Sequence, residues 1–378
     1  MANTRPLFGL YVHWPYCLSK CPYCDFNSHV SDAVDHDLFL AAYKKELNFI
    51  AAQIPKRPLT SIFFGGGTPS LMKPFVVEAI INEAEKIFGL SADCEITLEA
   101  NPTSVEADKF ADFSAANINR VSLGLQSLDD KALIFLGRTH SAAEGIAALQ
   151  TAQKQFDRVS FDLMYTRPGQ TLTAWKDELE QALTLGTDHL SLYQLTIEQG
   201  TPFYTQHQRG EFEMPDGDTG GGFYEETNAH LNAAGLPAYE ISNHARAGQE
   251  SRHNLCYWQA DDYIGIGPGA HGRVMIKGQR TATRTHRAPD IWLKHCAEKG
   301  HGFHPFEAVA DDDIFIEKMM MGLRLTEGVP LKDIPQNFIM SGSVQTMISQ
   351  NFLEKTATHL RATMAGRQRL NAVLSYIL

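Results

Sequence analysis

Residues 8–24 read Phe8-Gly9-Leu10-Tyr11-Val12-His13-Trp14-Pro15-Tyr16-Cys17-Leu18-Ser19-Lys20-Cys21-Pro22-Tyr23-Cys24. An apolar run that suits a buried strand ends at Trp14 and passes directly into three cysteines spaced C-x3-C-x2-C. The chain has six cysteines in all, and three within eight residues point to a metal or redox site rather than to disulfides. Three thiolates leave a tetrahedral zinc site one ligand short. They can instead hold three irons of a [4Fe–4S] cluster and leave the fourth iron open. A zinc site completed by His13 or His29 is the alternative that the spacing leaves standing.

Five further runs follow the first: Ser61–Phe64, Glu95–Leu98, Arg120–Leu125, Arg158–Met164 and His189–Leu195. Helical patterns separate them over Asp37–Gln53, Pro74–Phe88, Ser104–Ala116, Ala142–Phe156 and Thr173–Leu185. Alternation of this kind predicts an α/β fold, a partial (β/α)6 TIM-like barrel. Beyond Gly200 the texture changes. Gly217–Gly222 reads as a loop, Phe223–Ala234 as a helix and Ala238–Ile241 as a short strand. Ile314–Leu325 is an amphipathic helix after an acidic start. The expected division is a barrel over 1–235, a segment packing on it over 236–300 and a small C-terminal helical, winged-helix-like domain over 301–378.

The chain has 378 residues, 43% hydrophobic and 20% charged, the proportions of a folded globular protein. A net charge of −11 excludes a global electrostatic grip on nucleic acid. No apolar run reaches the roughly 18 residues of a transmembrane segment. Met1 to Pro6 lacks the apolar stretch of a secretory signal, so a cytoplasmic location is expected.

In a parallel barrel, functional groups gather at the C-terminal ends of the strands. Here those ends carry Gly65-Gly66-Gly67-Thr68-Pro69, Glu99-Ala100-Asn101-Pro102, Gly124-Leu125-Gln126-Ser127, Asp162 and Tyr193-Gln194. Glycines allow close backbone approach to a ligand. Polar groups at four successive strand ends suit ligand binding better than core packing. Arg138, in Gly137-Arg138-Thr139-His140, adds a planar cation for a carboxylate or an adenine ring.

The cysteine spacing resembles that of the radical S-adenosylmethionine (SAM) superfamily. The longer strings YVHWPYCLSKCPYCDF, FFGGGTPS, EANP, RVSLGLQS, LGRTH, FDLMY, YEISNHA, HNLCYW and YIGIGPGAHG resemble its coproporphyrinogen-oxidase-like branch over about residues 8–275. The resemblance implies a [4Fe–4S] cluster on Cys17, Cys21 and Cys24. It implies SAM contacts from Tyr11, Gly66, Gly67, Thr68, Glu99, Gln126, Arg138 and Asp162, with Tyr23 lying against the cluster and SAM. It also implies a choice between two activities. One is oxidative decarboxylation of coproporphyrinogen III; the other is the carriage of haem by the branch's haem chaperones. The oxidases have a further cysteine where this chain has Phe26, and a long arm ahead of the motif where this chain has 16 residues. Both differences favour the chaperone.

The chaperone resemblance implies haem contact by His253, in His253-Asn254-Leu255-Cys256-Tyr257-Trp258. It implies an acceptor haemoprotein of the respiratory chain, a small-protein electron donor as a further partner, and a cytoplasmic or peripheral inner-membrane location. The chain departs from the branch in the loop after the fifth strand, where Thr166 and Arg167 replace a glycine and an apolar residue. If that position needs positive φ, Thr166 is strained. Ser251 stands where a cysteine is common.

Overall fold

The computed structural model describes residues 6–31 and 33–378. Of Met1–Pro6, read for a secretory signal, only Pro6 lies within them. Six parallel strands carry the barrel: β1 (Phe8–Trp14), β2 (Leu59–Gly66), β3 (Leu90–Ala100), β4 (Arg120–Gln126), β5 (Arg158–Tyr165) and β6 (His189–Gln194). The structure is thus the expected partial barrel, and its sheet runs further on both sides. Beyond β6, β7 (Asn243–Ala245) pairs antiparallel. On the other side β8 (Asp262–Ile266) lies parallel to β1, followed by β9 (His271–Ile276), β10 (Gln279–Arg284) and β11 (Glu307–Ala308). Among the described residues the sheet has eleven strands, in the order β11-β10-β9-β8-β1-β2-β3-β4-β5-β6-β7.

Alternation along the strands separates two environments. Leu10, Val12, Ile62, Phe64, Ile96, Leu98, Val121 and Leu123 are buried in the main apolar core. The residues between them include Tyr11, Ser61, Glu95, Glu99, Arg120, Ser122, Ser160 and Asp162, which hydrogen-bond or face one another across the lumen. The apolar stripes turned away from the lumen meet amphipathic helices such as His36–Ala51, whose Asp35 caps it by accepting from Leu38 N at 3.0 Å. Trp292 and Cys296, on the Pro289–Lys299 helix, belong to the same core. A second core, from Met319 to Ile377, joins short helices to a three-stranded antiparallel sheet of Val329–Pro330, His359–Ala362 and Leu353–Lys355.

Two local expectations are corrected. Gly217–Gly222 is not a loop but the start of the Gly217–Ala233 helix. Asp216 caps it by accepting from Thr219 N at 2.8 Å, and Gln194 donates to Gly220 O at 2.8 Å, so tertiary contacts override poor glycine propensity. The strand expected at Ala238–Ile241 lies instead at Asn243–Ala245, with Ala238 making only an isolated bridge to His244.

Candidate cluster and cofactor site

The Cys17–Cys24 loop leaves the C-terminal end of β1 and is fixed from several sides. Cys24 N donates to Cys21 O at 3.1 Å, Phe203 N to Pro22 O at 3.0 Å, and Ser31 N to Cys17 O at 3.2 Å. The glycine loop after β2 docks against it, with Gly67 N on Trp14 O at 2.7 Å and Thr68 N on Tyr16 O at 2.8 Å. A Cβ on Gly67 would stand 2.6 Å from Tyr16 O and 3.0 Å from Cys17 Sγ, so only glycine permits this approach.

Eleven of the residues expected at the site line one cavity of about 190 Å³: Cys17, Cys21, Cys24, Tyr23, Gly66, Gly67, Thr68, Glu99, Gln126, Arg138 and Asp162. Sequence reasoning passed over Ser122 and Thr139, which line it too, and left Asn101 without a role. Asn101 joins two walls: its Nδ2 donates to Thr68 Oγ1 at 3.1 Å and its Oδ1 accepts from Arg138 Nη2 at 2.7 Å. Arg138 also donates to Gly124 O at 2.9 Å and to Cys21 Sγ at 3.3 Å, while its Nε is buried without a partner.

The acids are held ready for positive charge. Glu99 and Asp162 keep part of each carboxyl open to the cavity, yet the surrounding protein disfavours their ionised forms. Burial, and then the proximity of Asp162, push Glu99 up to about 8; burial pushes Asp162 up to about 6 against hydrogen bonds from Ser191 and Ser122. A bound cation would reverse that penalty. The thiol of Cys17 is raised by burial, and a metal would bring it to thiolate.

The donor set fits an iron–sulfur cluster with an open iron better than zinc. His13 is no fourth ligand: its Nε2 donates to Asn27 O at 2.9 Å and its Nδ1 accepts from Tyr11 Oη at 2.9 Å, and burial lowers it to about 4. His29 lies on an exposed two-residue strand.

Two expected residues lie apart from the cavity wall. Tyr11 is deeper in the lumen, bonded to His13 and stacked on Phe63. His253 is at the base of the lumen and is 1% exposed. Its Nδ1 shares a hydrogen bond with Ser61 Oγ at 2.9 Å, and its Nε2 one with Tyr257 Oη at 2.7 Å. Its ring stacks on Phe63, and its backbone N–H reaches Glu95 at 3.3 Å. Both ring nitrogens, the atoms from which haem contact was expected, thus have protein partners here, and the ring is enclosed. The Gly265–Gly272 loop is held by protein contacts: Gly267 N donates to Glu46 at 2.8 Å and Asn27 Nδ2 to Pro268 O at 2.9 Å.

A partial barrel with three cysteines on the loop after its first strand defines the class: a radical SAM protein. Residues 11–182 match the radical SAM superfamily, and residues 309–369 the HemN C-terminal domain. The fold is similar to that of coproporphyrinogen III oxidase (HemN) from Escherichia coli, with a TM-score of 0.81 over 98% of this chain and 90% of that one, at 20% identity. The bovine mitochondrial radical S-adenosyl methionine domain-containing protein 1 is 40% identical over 98% of this chain and 87% of its own length. The Escherichia coli protein named heme chaperone HemW is 36% identical over 100% of both chains. The chain belongs to the HemW family of radical SAM proteins.

Among the described residues no helix is long and apolar enough to cross a membrane.

Proposed function

We propose that this chain is a haem chaperone: it binds haem, a [4Fe–4S] cluster and SAM, and passes haem to a haemoprotein of the respiratory chain. The observation that carries this reading is full-length similarity, at 36% identity, to the protein named heme chaperone HemW. Cys17, Cys21 and Cys24 hold three irons. Glu99 and Asp162 receive the positive charge of SAM, and Arg138 meets its carboxylate. The backbone of Gly66, Gly67 and Thr68 lies against its methionine end. When bound, the cluster supplies single electrons and an open iron. Haem sits outside the lumen base, since His253 is committed to Ser61 and Tyr257. The reading places the chain in the cytoplasm, at the periphery of the inner membrane where it meets its acceptor, with a small protein as electron donor.

The test is an anaerobic haem titration of cluster-reconstituted protein followed at the Soret band. Saturable, near-stoichiometric binding supports the chaperone; weak, non-saturating binding overturns it. The coproporphyrinogen oxidase reading gains only the fold from HemN, and Phe26 stands where the oxidases carry a cysteine. Protoporphyrinogen formed from coproporphyrinogen III under the same conditions would reverse the choice.

A further inference from the structure

Two non-glycine residues at the ends of neighbouring barrel strands have left-handed backbones: Gln126, which lines the cavity, with φ 68°, and Thr166, directly after β5, with φ 57°. Such conformations persist only where their surroundings impose them, and a β-branched residue resists them most. Nothing local rewards Thr166, whose Oγ1 is buried without a partner. The next residue of each pair shows what holds them. Ser127 Oγ donates to Glu178 Oε1 at 2.5 Å, and Leu128 N to the same oxygen at 2.8 Å. Arg167 Nη2 donates to Glu178 Oε2 at 2.6 Å, and its Nη1 reaches Ser127 Oγ. Arg167 and Glu178 are both 7% exposed. One buried ion pair therefore ties the turn after β4 to the turn after β5, and both to the Leu172–Thr184 helix.

The tie ends at the cofactor cavity. Gln126 lines it, with its Nε2 folded so closely over Gly124 that a Cβ there would come within 2.9 Å, beside Arg138 Nη2 at 3.6 Å. An apolar side chain at 167 could fill the same space. It could not fix the orientation of Ser127, because packing is non-directional and a forked guanidinium is not. We propose that Arg167 is a positioning residue for the SAM site: through Glu178 and Ser127 it holds Gln126 in the left-handed conformation that turns its amide into the cavity. This rests on the SAM-binding reading given above.

The experiment uses cluster-reconstituted protein under anaerobic conditions. SAM affinity is measured by equilibrium dialysis, and the electron paramagnetic resonance of the reduced cluster is recorded with and without SAM. The variants are Arg167→Leu, Gln126→Ala and the two combined. Glu178→Gln, which keeps volume but removes the charge, replaces Arg167→Leu if that variant does not fold. Arg167→Leu is expected to raise the SAM Kd about tenfold, a coupling typical of residues in one hydrogen-bond network, with iron content unchanged. In the Gln126→Ala background the same change should cost less than about twofold, because the residue it positions is gone. An equal cost in both backgrounds, or none in the unaltered protein, overturns the proposal. If the unaltered protein neither binds SAM nor changes its resonance signal, the cofactor reading itself falls, and this proposal with it.

Discussion

Arg138 donates one guanidinium nitrogen to the sulfur of Cys21 at 3.3 Å and holds Asn101 and Gly124 with the other at 2.7 and 2.9 Å. A cation and an N–H aimed at a cluster ligand favour the reduced, more negative state. Arg138→Met should therefore lower the cluster's reduction potential, on the order of tens of millivolts. Arg138→Lys, which keeps the charge and loses the fork, should fall between. A resonance-monitored redox titration measures this, and identical potentials in all three proteins would remove the argument.

If SAM binds beside Glu99 as proposed, its binding is tied to protons. The Glu99 carboxyl is pushed up to about 8 in the folded chain against an ordinary 4.5. The folded state thus holds a proton that the unfolded state releases. The stabilisation is complete below about pH 4.5 and is lost as pH rises through about 8. Without SAM, Glu99→Gln should flatten this part of the pH–stability curve. With SAM, the incoming positive charge should expel the proton, so affinity should rise between about pH 6 and 8. Calorimetry in two buffers of different ionisation enthalpy counts the protons; no release at pH 7 would contradict the arrangement.

His253, bonded to Ser61 and Tyr257, is expected to act on stability. Burial lowers it to about 3 against an ordinary 6.5, so it is neutral when folded and protonates only on unfolding. Its contribution is whole above about pH 6.5 and drains away as pH falls toward 3. His253→Ala should cost about 2–4 kcal/mol at neutral pH, through a cavity and two hydroxyls left without a partner. The Soret maximum of the haem complex should stay where it is. A shifted Soret band with unchanged denaturant stability would restore the histidine as a haem ligand.

Gly67→Ala tests the packing of the cysteine loop. The added methyl would meet Tyr16 O and Cys17 Sγ, at 2.6 and 3.0 Å. Iron and sulfide content after reconstitution should fall by more than half, while far-ultraviolet circular dichroism stays unchanged. Full cluster content would show that the loop has room to spare.

The barrel was legible because its strands are short apolar runs with helical patterns between them, and the cavity because its polar groups cluster at strand ends. Other features had weaker signatures. The lumen's polar lining, such as Ser122 and Ser160, sits at alternate positions within strands that look apolar overall. The addition of β8 to β1 depends on register between residues far apart in the chain, such as Phe8 with Asp262 and Val12 with Ile266, which no local pattern announces. His253 looked like a ligand because its motif, His253-Asn254-Leu255-Cys256-Tyr257-Trp258, resembles that of the haem chaperones; its partner Ser61 lies 192 positions away. Arg167 read as a departure, and its counter-ion Glu178 gave no sign of being turned inward until the Leu172–Thr184 helix was placed.

The pairing of β1 with β8 also sets a timetable for the nascent chain. β1 gains its neighbour β2 early, but its other edge stays open until residues 262–266 have been made. At about 5–20 residues per second, an interval of roughly 250 residues leaves that edge bare for some ten to fifty seconds. The cysteine loop hangs from the same strand, so its thiols wait on a half-framed edge throughout synthesis. Cells that translate slowly, or that lack a holding factor for unpaired strands, should lose this protein to aggregation before it has met any iron.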